Sequence, residues 1–165
     1  MHTCPTAAIS DSTGIGRAAS YTKAGVGSVR CMDGLSLQVT SVTIAAPDPR
    51  ALAEFYSRLL GRPVTTSEGP RPGHPPEDGW AQIRPAEGTI EPTLNFEYEE
   101  QWTAPVWPAE ASKQTATQHL DIRVLDLDAA TTHALHVGAS LADFQPQETV
   151  RVMFDPAGHP FCLFT

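Results

Sequence analysis

His119, Asp121 and Arg123 alternate with Leu120, Ile122 and Val124 in the stretch HLDIRV. In a strand, that alternation sends three polar side chains to one face and three apolar ones to the other. Three other stretches repeat the pattern. Ser41 and Thr43 alternate with Val42 and Ile44, Asn95 and Glu97 with Leu94 and Phe96, and Cys162 and Phe164 with Phe161 and Leu163. Polar groups would be expensive on a sealed sheet face. The set therefore predicts a wet pocket, where hydrogen bonds orient a ligand while Phe164, Trp80 and Trp102 supply apolar contact area. Nothing in the sequence places a nucleophile beside an oriented base, so the pattern names no catalytic triad or dyad. Structural readings stand beside the functional ones. His119 can hydrogen-bond across the pocket floor or sit as a neutral ring beside Asp121, and Asp121 and Arg123 can form an ion pair. Cys162 can be a small buried hydrophobe. His133 and His136 read as solvated residues of a helix, and Trp102 and Trp107 as packing within a loop.

The elements that must hold these residues come from an internal repeat. His119 to Gly138 reads as an alternating strand, then Asp126 as an N-cap, then a helix with Leu127, Ala130, Ala134 and Val137 on one face, then a glycine stop. Ser41 to Gly61 has the same plan. Val42 and Ile44 are its apolar strand face, Asp48 is its cap, and Pro49 suits the first helical turn. Leu52, Phe55, Tyr56, Leu59 and Leu60 form its stripe. The cap follows the strand's first residue by the same interval in both, so Ser41 in the first half corresponds to His119 in the second.

Around the repeat, strands are expected from Leu35 to Ala46, Pro63 to Thr66, Gly79 to Pro85 and Thr93 to Glu99. In the second half they are expected from Gln118 to Leu125, Ser140 to Asp143, Glu148 to Phe154 and Pro160 to Phe164. A Pro- and Gly-rich loop covers Ser67 to Asp78, and DPAGH at Asp155 to His159 is a turn. Each half is then βαβββ. Neither half alone could bury both its sheet and its helix, so the expected fold is α+β: two modules forming a curved mixed sheet around a concave pocket, with the helices outside. Residues 1–34 lack periodicity and read as a poorly ordered leader, dispensable for stability. Another reading starts the native chain at Met32. The leader contains STGIGRA, which resembles part of a dinucleotide-binding glycine fingerprint, but no strand precedes it and no parallel-sheet pattern surrounds it.

Bulk properties bound the partners. A length of 165 residues suits one domain or two small halves sharing a core. A net charge of −8 with scattered basic residues argues against nucleic acid. No apolar run is long enough to cross a membrane, and the N-terminus does not read as a secretory signal. Three cysteines without short spacing fit neither a disulfide framework nor a structural zinc site, and point to the cytoplasm.

Three stretches together, APDPRALAEFYSRLLG (Ala46 to Gly61), HLDIRVLDLDAA (His119 to Ala130) and FDPAGHPFCLF (Phe154 to Phe164), resemble the vicinal oxygen chelate (VOC) superfamily in its glyoxalase-like and bleomycin-resistance-like branch. The resemblance implies a glyoxalase-like domain over residues 35–165, with a module at 35–100, a linker at 101–116 and a second module at 117–165, and it implies a homodimer. Metal-using members carry ligands on the first and last strands of each module. Carried over, those places fall on Ser41, Asn95, His119 and Cys162, of which only His119 is a good divalent-metal ligand as it stands. Glu97 faces the same way as Asn95, so His119, Glu97 and Cys162 are the metal ligands should an ion bind; none is expected. The resemblance thus implies a small-molecule-binding protein that binds or transforms a hydrophobic or aromatic metabolite without a full metal site. The alternatives are a metal-dependent lyase, isomerase or dioxygenase with a noncanonical ligand set, and a dimeric interaction module with a vestigial cleft. The expected ligand-binding residues are Ser41, Thr43, Trp80, Asn95, Glu97, Trp102, His119, Asp121, Cys162 and Phe164.

Overall fold

A computed structural model describes residues 38–165. The leader and the proposed start at Met32 lie outside the described residues, as do the first positions of the strand expected from Leu35. The chain runs β1 (Ser41–Ala46), α1 (Pro49–Leu60), β2 (Thr66–Glu68), β3 (Trp80–Ile83), β4 (Thr93–Tyr98), β5 (Leu120–Arg123), α2 (Leu127–Val137), β6 (Ser140–Leu141), β7 (Val150–Phe154) and β8 (Pro160–Phe164). Both halves are βαβββ, as the repeat requires. The strands form two four-stranded sheets of identical plan, β1-β4-β3-β2 and β5-β8-β7-β6. In each, the first strand pairs parallel with the last and the other pairs are antiparallel.

Both helix starts and stops follow from local chemistry. The Asp48 carboxylate accepts the Ala51 amide at 3.0 Å, and Asp126 accepts the Ala129 amide at the same distance. Gly61 ends α1 at φ 65° and Gly138 ends α2 at φ 114°, left-handed conformations that glycine adopts without steric cost. Strand ends differ more from expectation. The strand expected at Pro63 begins instead at Thr66, opposite Gln82. β5 begins at Leu120, opposite Phe161, and the next place along β8 is Pro160, which has no N–H to give. His119 therefore lies just before the strand.

The alternation sorts faces as expected. Leu94, Phe96, Phe161 and Leu163 are buried, and Val42, Ile44, Leu120 and Ile122 pack against the same core. α1 is the keystone of that core. Its Phe55 and Tyr56 rings meet edge to face with centroids 5.0 Å apart; Tyr56 stacks on Phe96 of the first sheet at 5.5 Å, and Phe55 reaches Phe161 of the second at 6.2 Å. Leu52 and Ala53 are buried with them, whereas Leu59 and Leu60 are only half-buried. In α2 only Ala134 is buried, and Leu127, Ala130 and Val137 pack at the margin. His133 is not simply solvated, because its Nε2 lies 3.2 Å from the carbonyl oxygens of both Arg58 and Leu59, in the last turn of α1. Among the described residues no helix is long and apolar enough to cross a membrane.

Candidate functional site

Two groups of chemically useful side chains stand out, and the second sheet contributes to both. The first group lies on the polar face of the β5–β8 pair. Asp121 stands opposite Cys162 in the register, with His119 two residues before it. One ligand atom from each of His119, Asp121 and Cys162 falls within 4.8 Å of the others. His119 Nε2 is 3.3 Å from Asp121 Oδ1, with the two side chains 41% and 63% exposed, so water reaches both and the ion pair is weak. Burial pushes the Cys162 thiol up, and Asp121 adds to the rise through its charge and by accepting the thiol's hydrogen bond. The thiol is therefore held in its protonated form and is a poor nucleophile as it stands.

The second group lines a cavity of about 590 Å³ at the seam between the modules. One wall is the β1 stretch from Val42 to Ala45, another is the chain from Gln114 to Leu120 leading into β5, and Trp102 and His159 close it. The volume lies in the range that holds a small organic ligand. The connection that carries Trp102 is pinned in place. Trp102 Nε1 donates to the Ala157 carbonyl at 3.1 Å, and its ring lies 4.6 Å from the His159 ring. Val106 donates to Gln114 O at 2.8 Å within the same connection. The turn beneath Trp102 turns through Gly158 at φ 91°, where an added Cβ would come within 2.8 Å of the Ala104 Cβ.

That turn carries a residue pair which the sequence did not single out. Asp155 is buried, and its Oδ1 accepts the amides of Ala157 and His159, each at 2.9 Å. Its Oδ2 accepts the Tyr56 hydroxyl at 3.0 Å and faces His159 Nδ1 at 2.9 Å. Burial, together with the charge and hydrogen bond of Asp155, pushes the Tyr56 hydroxyl well up, so Tyr56 remains a donor. A D-x-x-x-H spacing in a turn was the available signal. Reading it as a turn alone missed it, because the third partner, Tyr56, comes from the other module.

Of the expected site residues, Thr43, Trp102 and His119 line the seam cavity. Asp121, Cys162 and His119 form the cluster on the second sheet. Ser41, Trp80, Asn95, Glu97 and Phe164 are in neither group. Asn95 accepts a 2.8 Å bond from Gln82 Nε2, and Gln82 in turn accepts from Arg84 Nε at 2.6 Å, so a cross-strand ladder occupies it. Glu97 sits opposite Trp80 in the register, on the first sheet. The third donor beside His119 and Cys162 is thus Asp121, in place of Glu97. His119, Asp121 and Cys162 offer one nitrogen, one oxygen and one sulfur, a mixed set that suits zinc, cobalt or nickel better than a hard ion such as manganese. Three donors leave an open coordination position, so the residues fit a divalent ion once the thiol has lost its proton.

The paired βαβββ modules, the split sheet and the seam cavity define a glyoxalase-like architecture. The model of the glyoxalase-like domain family matches residues 41–164, and the chain belongs to that family. Solved structures agree on the fold. The glyoxalase family protein from Enterococcus faecalis superposes with a TM-score of 0.55 at 20% identity, over 78% of this chain and 97% of that one. A variant of the fosfomycin resistance protein FosX from Listeria monocytogenes, solved with Mn(II) and 1S,2S-dihydroxypropylphosphonic acid, gives 0.58 at 11% identity, over 79% and 93%. A glyoxalase/bleomycin resistance protein/dioxygenase family enzyme from Burkholderia phytofirmans PsJN gives 0.51 at 16% identity, over 77% and 97%. Among curated proteins, none matches the chain.

Proposed function

We propose that this chain binds a hydrophobic or aromatic small molecule in the seam cavity, and either holds that molecule or transforms it without a full metal site. The observation that carries this reading is the cavity wall. It offers Trp102, Pro105, Val42 and Leu120 as apolar area, with Thr43, Gln118 and two histidines as orienting groups, and none of its lining residues is Lys, Arg, Asp or Glu. A ligand that binds only the folded chain raises its stability by about 2.7 kcal/mol at a hundred times its dissociation constant. A thermal-shift screen of aromatic antibiotics, quinones and α-ketoaldehydes is expected to give saturable shifts that Trp102→Ala weakens. Fosfomycin and other phosphonates belong in the screen because of FosX. If every saturating compound is indifferent to Trp102→Ala, the cavity is not the site. The same reading has a cytoplasmic protein, supported by its sparse cysteines, and a homodimer, supported by the family resemblance, which light scattering checks.

The His119, Asp121 and Cys162 cluster supports a second reading, a metal-dependent enzyme. A bound divalent ion would polarise a substrate oxygen as a Lewis acid. In this chain His119 and Asp121 would hold it, and Cys162 would join them on losing its proton. Cobalt titration tests it: a thiolate-to-cobalt absorption band that disappears in Cys162→Ser supports the reading, and no retained cobalt or zinc after dialysis removes it.

A further inference from the structure

The seam cavity contains a histidine whose tautomer is fixed from behind. Asp155 is buried, and every group that faces it is a donor: two backbone amides, the Tyr56 hydroxyl and His159 Nδ1. A carboxylate only accepts, so His159 Nδ1 carries the proton in this contact. In the neutral ring Nε2 is then a bare acceptor. Nε2 makes no hydrogen bond among the described residues, and His159 is a wall of the cavity. The Trp102 ring beside it offers an aromatic surface at the same spot.

Resting on the cavity reading above, we infer that the ligand is a hydroxyaromatic compound whose O–H donates to His159 Nε2 while its ring packs against Trp102. The warrant is complementarity. A ligand that displaces water from Nε2 must replace the donor that water supplied, or leave a half-buried acceptor unpaired. The lining contains no Lys or Arg to hold a formal anion and no carboxylate to hold a cation, which leaves neutral or weakly acidic ligands. His119, on another wall of the cavity, is also backed by an aspartate, with its Nε2 facing Asp121 at 3.3 Å, although there the pair is open to water. Asp155 and Tyr56 are positioning residues in this account, because both act only through the imidazole.

Three probes and two variants test the inference on the full chain; the probes are 2-naphthol, its methyl ether 2-methoxynaphthalene, and 2-naphthoate, with affinities measured by tryptophan quenching and calorimetry. The expected result is that 2-naphthol binds about tenfold or more tightly than the ether, the size of effect one lost hydrogen bond produces, and that naphthoate binds more weakly than 2-naphthol. His159→Phe keeps a ring against Trp102 and removes the acceptor. It should bring 2-naphthol down to the affinity of the ether and leave the ether unchanged. His159→Leu, which also removes the acceptor and keeps apolar bulk against Trp102, serves should the Phe variant fail to fold, and should also lose the preference. Equal binding of naphthol and ether, or a preference that survives both variants, overturns the inference and leaves the cavity reading standing. Tighter binding of naphthoate overturns it in favour of an anion site. No saturable binding of any of the three overturns this inference, and the cavity reading then stands or falls by the Trp102→Ala screen.

Discussion

The two modules share a topology and differ in how they are filled. α1 buries Pro49, Leu52, Ala53, Phe55 and Tyr56, and its two aromatic rings touch both sheets. α2, capped and stopped in the same way, buries only Ala134. Topology therefore does not need a heavily buried helix in each module. The repeated caps and strand faces specify the path of the chain, and the aromatic rings of one helix tie the two halves together. The chemistry is distributed the other way: His119, Asp121, Cys162, Asp155 and His159 all belong to the second module, whose helix is lightly buried, and Tyr56 is the first module's reach into it.

That asymmetry can be broken by mutation, starting with the largest effect. Phe55→Ala removes a fully buried ring that packs on Tyr56 and on Phe161 of the second sheet, and is expected to cost about 3–5 kcal/mol in chemical denaturation. Tyr56→Phe removes only the hydroxyl that Asp155 accepts. It is expected to cost about 1–3 kcal/mol, with the larger share felt in the second module, where hydrogen exchange at the Ala157 and His159 amides should speed up. Ala134→Gly, on the single buried position of α2, is expected to cost only about 1 kcal/mol. A cost equal to that of Phe55→Ala would show that α2 bears as much of the core as α1, and the comparison would fail.

The smallest effect concerns acid. Asp78 is buried in the first module's long loop and accepts three bonds from Arg71, so the guanidinium and the Arg71 amide hold its carboxyl far below the usual carboxylate range. Its pKa is lowered on folding, so its contribution is fully present above the ordinary aspartate value of about 3.9, shrinks as the pH falls below that value, and is gone once the pH has fallen through the lower folded value. Asp78→Asn should thus lower stability at neutral pH and flatten the acid limb of the stability curve, while equilibrium unfolding at pH 3 should show the two proteins closer together than at pH 7.

Much of the fold was legible because its signals are local. A cap, a proline in the first turn and a terminal glycine fixed both helices, and alternation fixed which face of β4 and β8 is buried. Strand ends were less legible because pairing decides them. Pro160 stops the ladder before His119, and Gln82 draws β2 past Pro63. The candidate site divides along the same line. His119, Asp121 and Cys162 were readable as neighbours on one face, since a strand's period is enough to find them. Glu97 was drawn into that set by facing alone, but the two polar faces belong to separate sheets. Asp155 and His159 escaped because what distinguishes them from an ordinary turn is a hydroxyl 99 residues away.

Gly158 has a consequence for anyone who would rebuild this protein. Because its α-carbon leaves no room for a side chain beside Ala104, the segment between the modules is machined to fit the turn it crosses, and is not a tether of arbitrary length. Grafting a connection of another length from a relative, or diversifying residue 158 in a library, would lift Trp102 away from His159 before it disturbed a single strand. The lining of the cavity can therefore be retuned from a place that carries no functional group at all.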